Sequence, residues 1–282
     1  MLNLFDEDFD NMELVEGALA LNSAINPDTE AKWAKAELQR LLQDAEQRLS
    51  HESNEQQRFE SFLRLFYHEW QFEGDSEAYF SSENAFIDKV LERKKGIPVS
   101  LGALLLYFGR KLGFPIEGVT FPTQFLVKIT WFEQHPQYIN PFNGEYVSEQ
   151  MLLAWLIGHD GPLAKLQPEH LATADNPTVI GRWLALAKGA LMREERYTLA
   201  LNCTDLALTF VPDDPYEIRD RGFIYQQLDC HQIAATDYQF FIDQCIDTDI
   251  LTQVDIFNIL HRGDCFQHTV VLCHQAGDDV RL

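Results

Sequence analysis

Acyl transfer through a side-chain nucleophile calls for three groups in a fixed order. The nucleophile sits at a helix N-terminus, where the dipole favours an anion, and a base with its orienting partner follows on adjacent strands. Ser100, Gln124 and Asn140 occupy those places in outline. Ser100 opens an apolar helical stretch, Gln124 begins a long extended run, and Asn140 ends the next one, just before Pro141-Phe142-Asn143-Gly144. Order and spacing are those of a Cys, His, Asp site, yet none of those residue types is present.

The elements that must position these residues are legible from periodicity. Trp33, Leu38, Leu41, Leu42, Ala45 and Leu49 fall at helical spacing after the turn Asn26-Pro27-Asp28 and predict a helix over 29–49. Phe59, Phe62, Leu63, Phe66, Tyr67 and Trp70 predict a second helix with an aromatic stripe turned inward, and His68 falls off that stripe and takes no role. After Lys94-Lys95-Gly96-Ile97-Pro98 a buried helix is expected from Ser100, carrying Leu101, Leu104, Leu105, Phe108 and Leu112 as far as Gly113-Phe114-Pro115. Extended runs over 116–121, 124–131 and 138–140 read as an antiparallel meander, with Phe125, Val127, Ile129 and Trp131 alternating. Asn143-Gly144 marks a turn, and Ser148 is placed to cap a helix through Ile157.

From Gln167 to Pro177 the apolar periodicity lapses, as in a linker. Beyond it Leu191 and Tyr225, Ala200 and Ala234, and Ala207 and Phe241 stand 34 residues apart, the period of tetratricopeptide helix pairs. The second unit fits best, whereas the first has Lys188 where a small residue belongs. These patterns predict an α+β fold in three parts: helices followed by antiparallel sheet over 1–172, tetratricopeptide-like helices over 178–250, and a tail over 251–282.

The runs Lys95-Gly96-Ile97-Pro98-Val99-Ser100-Leu101-Gly102, Phe121-Pro122-Thr123-Gln124-Phe125-Leu126 and Ile139-Asn140-Pro141-Phe142-Asn143-Gly144 resemble the SirB family of bacterial transglutaminase-like proteins. Asp214-Pro215-Tyr216 through Gly222 resembles the start of that family's second C-terminal repeat. The resemblance implies a transglutaminase-like domain of the papain-like superfamily, followed by tetratricopeptide helices. It also implies that Ser100 stands at the superfamily's nucleophile position, Gln124 at its histidine and Asn140 at its aspartate.

Asn140 alone would not disable such a site, because an amide can orient an imidazole. Gln124 is decisive: its amide has no pKa near neutrality and can neither take the Ser100 proton nor return one to a leaving group. Loss of a triad nucleophile or base lowers the rate by up to about a millionfold. Ser100 has a structural use as a helix cap, and Gln124 and Asn140 can hydrogen-bond within the cleft. His135 is expected at the far end of the hairpin from Gln124, and no cysteine precedes Cys203 to supply a substitute thiol. His261, Cys265, His268, Cys273 and His274 lack the paired short spacings of structural zinc sites, so no metal is expected there.

With 44 acidic against 22 basic side chains, the formal net charge of -22 opposes binding to nucleic acid or an anionic membrane. The longest apolar run, Leu101 to Phe108, is far short of the roughly 20 residues that span a bilayer. The N-terminus has no basic, apolar export signal, and five unpatterned cysteines fit free thiols in a reducing cytoplasm. The expectation is a non-catalytic scaffold without cofactor, binding an unidentified protein or peptide through its cleft or through the repeat that carries Arg219 and Arg221. The alternative is a serine-dependent hydrolase or acyltransferase that uses Ser100 with a base from outside the inherited triad.

Overall fold

The computed structural model of the protein describes residues 12–246. Helix α1 (Leu14–Ile25) leads into α2 (Ala31–Leu49), whose buried positions Ala34, Leu38, Leu41, Ala45 and Leu49 recur every three or four residues. Trp33, expected on that stripe, is 40% exposed because Ala34 takes the inward position beside it. Helix α3 (Glu55–Arg64) starts where the Asn54 side chain accepts from Gln57 N at 3.0 Å.

The aromatic helix does not run unbroken to Trp70. Residues Leu65–Glu69 form a π-turn, with Trp70 N donating to Leu65 O at 2.8 Å. The wider turn lets consecutive Leu65 and Phe66 both be buried. Phe66 stacks on Phe72 at 4.6 Å, and Phe59 meets Phe114 edge-on at 5.1 Å, so the stripe is core packing.

Strand β1 (Glu73–Gly74) pairs in parallel with β2 (Lys95–Gly96), which follows helix α4 (Ile87–Arg93). Helix α5 (Pro98–Lys111) is buried over nearly its whole length. The meander comprises β3 (Ile116–Thr120), β4 (Phe125–Ile129), β5 (Gln137–Ile139) and β6 (Tyr146–Val147), adjacent in that order. Thr120 pairs with Phe125, Ile129 with Gln137, and Tyr138 with Val147. Three strands match the expected runs, while the two-residue β6 is too short for periodicity to signal.

The sheet is buried on both faces. Against one lies α5, where a β-carbon on Gly102 would fall 2.4 Å from the Phe125 ring and one on Gly109 2.1 Å from Ile116. On the other, Val119, Phe121, Leu126, Tyr138 and Val147 pack with Leu152 and Leu156 of helix α6 (Glu149–Asp160). Ser148 caps α6 as expected, accepting from Met151 N at 3.3 Å.

The 167–177 segment is anchored rather than loose: Ala174 N donates to Gly118 O at 2.9 Å, and Lys128 Nζ to Thr173 Oγ1 at 2.7 Å. Helix α7 (Asn176–Arg193) follows, and two compact units part between Ala190 and Leu191. This division lies beyond the 173–177 gap between the expected domains, because Trp183 Nε1 donates to Ala85 O at 2.8 Å and ties the first part of α7 into the first unit.

In the second unit, α8 (Tyr197–Phe210), α9 (Pro215–Gln227) and α10 (His231–Ile246) form antiparallel hairpins. Asp214 caps α9 by accepting from Tyr216 N and Glu217 N. Gly222 permits close approach of α9 and α10, since a β-carbon there would lie 3.1 Å from Asp237 Cβ and 3.2 Å from the Tyr238 ring. Among the described residues no helix is long and apolar enough to cross a membrane. The expected tail over 251–282, with its histidines and cysteines, lies outside the described residues.

Candidate functional site

The segments carrying Ser100, Gln124 and Asn140 converge on Gly102, which packs against Phe125 and within 3.2 Å of Pro141 when given a β-carbon. Ser100 is not the helix cap. Pro98, with its fixed φ, starts α5 two residues earlier, Ile97 is the N-cap, and Ser100 stands at the third helical position. Its side chain is fully buried, and Oγ accepts from Ile97 N and donates to Ile97 O, both at 3.1 Å.

Gln124 closes a tight turn through its N–H to Phe121 O at 3.2 Å, but its side-chain Nε2 makes no hydrogen bond among the described residues. Gln124 Nε2 and Thr123 Oγ1 are both buried without a partner. The Asn140 side chain is used within its own turn, where Oδ1 accepts from Phe142 N at 3.0 Å and its carbonyl accepts from Gly144 N at 2.8 Å. The segments of Ser100, Gln124 and Asn140 are therefore brought to one region of the fold with no hydrogen bond linking the three side chains. His135 is exposed in the loop beyond the Ile129–Gln137 pair, and β4, about 17 Å long, separates it from Gln124.

Arg182 stands beside the Gln124 turn, where sequence periodicity had assigned its helix to the other domain. It donates from Nη1 to Phe121 O at 2.7 Å and from Nη2 to Pro122 O at 3.4 Å. Burial pushes its pKa down, opposed by the neighbouring Tyr79 hydroxyl, and burial likewise pushes Tyr79 up. The Tyr79 ring lies 6.0 Å from Phe142 and 5.2 Å from Phe80, which is 61% exposed. The loop bearing these rings is pinned by Arg93, whose Nη2 meets Asp75 at 2.7 Å and Nη1 meets Asn84 at 3.0 Å.

An open groove of about 670 Å³ is lined by Glu60, Arg64, His68, Asn140, Tyr146 and Trp155 among others. Its floor holds Tyr67, whose hydroxyl donates to Pro141 O at 2.8 Å and whose pKa burial raises well above the usual range. Glu60 accepts from the Tyr146 hydroxyl. The π-turn sets His68 on this groove, and no sequence signal marked that turn. In the repeats, Arg221 makes a two-pronged ion pair with Asp237 across α9 and α10 at 2.7 and 2.8 Å, while Arg219 pairs with Asp220 at 2.7 Å.

A buried helix against an antiparallel meander, with helical hairpins following, is a transglutaminase-like architecture with tetratricopeptide repeats. The chain belongs to the transglutaminase-like superfamily, whose family model matches residues 32–185, and a tetratricopeptide-repeat model matches residues 187–255. A UPF0162 protein of Vibrio cholerae is 72% identical over 245 residues, covering 87% of this chain and 91% of the relative. Protein SirB1 of Salmonella typhimurium and UPF0162 protein YchA of Escherichia coli are each 39% identical over 264 residues, 93% of this chain and 98% of the relative. No solved structure matches it. Tetratricopeptide helices offer surfaces suited to polypeptides, which makes protein interaction the broad function the family supports.

Proposed function

We propose that the protein is a non-catalytic transglutaminase-like interaction module of the reducing cytoplasm, binding a polypeptide through its first domain, its repeats or both. One observation carries this reading: the Ser100 hydroxyl is fully buried and occupied with the Ile97 backbone, while Gln124 offers no proton acceptor of suitable basicity. A serine nucleophile needs its oxygen within hydrogen-bond reach of a base and open to a substrate carbonyl. Ser100 has neither arrangement here. The side chains at the three inherited positions instead serve local turns, as Asn140 does, or remain available to a ligand, as Gln124 does.

The test is activity-based labelling of the purified full chain with a fluorophosphonate probe. No modification of Ser100 is expected in native protein. Labelling of Ser100 that requires the folded state, together with ester or amide hydrolysis lost on Ser100→Ala, would establish the serine-enzyme alternative instead.

A further inference from the structure

We propose that the Phe121–Gln124 turn and Arg182 form a binding site for a peptide carboxylate, flanked by the aromatic side chains of Tyr79 and Phe80. This names the ligand chemistry of the cleft and rests on the reading that the cleft holds a polypeptide rather than cutting it.

The first observation is a cation without an acid. The chain carries 44 acidic side chains against 22 basic ones, and the half-buried Arg93 and Arg221 draw on that excess, whereas Arg58 rests over the Phe114 ring at 5.3 Å. Arg93 is held by Asp75 at 2.7 Å and Glu83 at 3.2 Å, and Arg221 by Asp237 at 2.7 Å. Arg182 is half-buried and meets only the carbonyls of Phe121 and Pro122 among the described residues. Two carbonyls satisfy part of its five-donor fork and none of its charge. Its lowered pKa expresses the same uncompensated burial.

The second observation is independent of charge. Immediately after the two carbonyls that Arg182 clasps, Thr123 Oγ1 and Gln124 Nε2 are buried without partners. Gln124 Nε2 has no partner among the described residues, so the amide has an NH2 group to present to a ligand. Buried polar atoms without partners are uncommon in native folds, and two on consecutive residues call for a shared explanation.

Guanidinium, primary amide and hydroxyl together supply donors to one small region. Their complement is a planar anionic acceptor, and a carboxylate matches the guanidinium fork. A single cation with two neutral donors suits a monoanion better than a doubly charged phosphate. The exposed Phe80 and the neighbouring Tyr79 supply apolar contact for a side chain adjoining the carboxylate, the pairing of arginine and aromatic groups typical of binding hot spots. Replacement of a histidine by Gln124 thus exchanges a proton acceptor for a donor, and the former acyl site becomes a site for an acid.

The test is ligand-observed NMR titration of the full chain with three probes: acetyl-Leu-Phe with a free terminal carboxylate, the same dipeptide as its terminal amide, and acetyl-Phe-Glu-amide. At least one acid is expected to bind about tenfold or more tighter than the terminal amide, and the preferred acid distinguishes a chain terminus from an acidic side chain. Arg182→Lys, which keeps charge but loses the fork, and Gln124→Leu, which removes one donor, should each weaken that acid several-fold with the melting temperature held close to the parent. Equal binding of acid and amide, no binding of either acid, or acid binding unchanged in both variants would overturn the proposal. Inorganic phosphate displacing the acids at lower concentration than they bind would overturn the carboxylate assignment. Repeating the titrations on Ser100→Ala separates the two readings: serine labelling tests catalysis, whereas the preference for acid over amide is read without that hydroxyl.

Discussion

Ser100 Oγ and the Ile97 backbone are bonded in both directions, accepting from Ile97 N and donating to Ile97 O at 3.1 Å each. Ser100→Ala therefore removes a helix-initiating contact and should lower stability by about 1 kcal/mol in urea unfolding. The thiol introduced by Ser100→Cys should alkylate much more slowly in native protein than exposed Cys230. Comparable rates would show that the position opens to solvent.

The Arg221–Asp237 pair ties α9 to α10, with the Asp237 side chain only 6% exposed. Arg221→Met strands that carboxylate and should cost about 3 kcal/mol in denaturant unfolding. Adding Asp237→Leu should recover most of the loss, because an apolar pair replaces the ion pair without leaving a buried charge.

Glycine replacements separate backbone demand from mere tolerance. Gly144 has φ of +75°, and a β-carbon there would sit 2.5 Å from the Tyr67 ring, so Gly144→Ala should destabilise by about 2 kcal/mol. Gly158 lies in α6 with nothing within 4 Å, so Gly158→Ala should stabilise by about 0.5 kcal/mol. Thermal melts of the two variants should move in opposite directions.

Asp75 gives the first unit an acid-sensitive element. Burial works to raise its pKa, but donation from Ala78 N and Arg93 outweighs it, and the carboxyl titrates below its ordinary value. A depressed folded pKa contributes stability that is fully present above the unfolded value of about 3.9 and is lost as pH falls through the folded value. Asp75→Asn should therefore weaken the protein at pH 7 and flatten the acid limb of its stability profile below about pH 4.

Helix α7 determines where the first unit can be cut. Ending the chain after Gln167 removes Trp183, its bond to Ala85 O and the Arg182 clasp on the Phe121 turn. Loss of a buried tryptophan alone costs about 3 to 5 kcal/mol. That truncation should be insoluble or unfolded by circular dichroism, whereas one ending at Arg193 should retain the first unit's cooperative melt.

The sequence determined the fold class and pointed to Ser100, Gln124 and Asn140 as the residues to locate in it. Aromatic and aliphatic periodicity specifies the buried faces of α2, α3 and α5, Trp33 excepted, and the meander follows from alternation at Phe125, Val127 and Ile129. Residue type at position 124 is likewise a sequence fact, since no environment gives a primary amide the basicity of an imidazole.

What periodicity could not reach depends on contacts distant in the chain. The π-turn at Leu65–Glu69 and the two-residue β6 are too local to carry a period. Leu126 breaks simple alternation because α6 covers the second face of the sheet. Only the tertiary structure places Arg182, on a helix the sequence assigned to the repeats, against the carbonyls of Phe121 and Pro122. Side-chain chemistry is written residue by residue, but which charge is left without a partner is decided by burial, and burial belongs to the assembled fold.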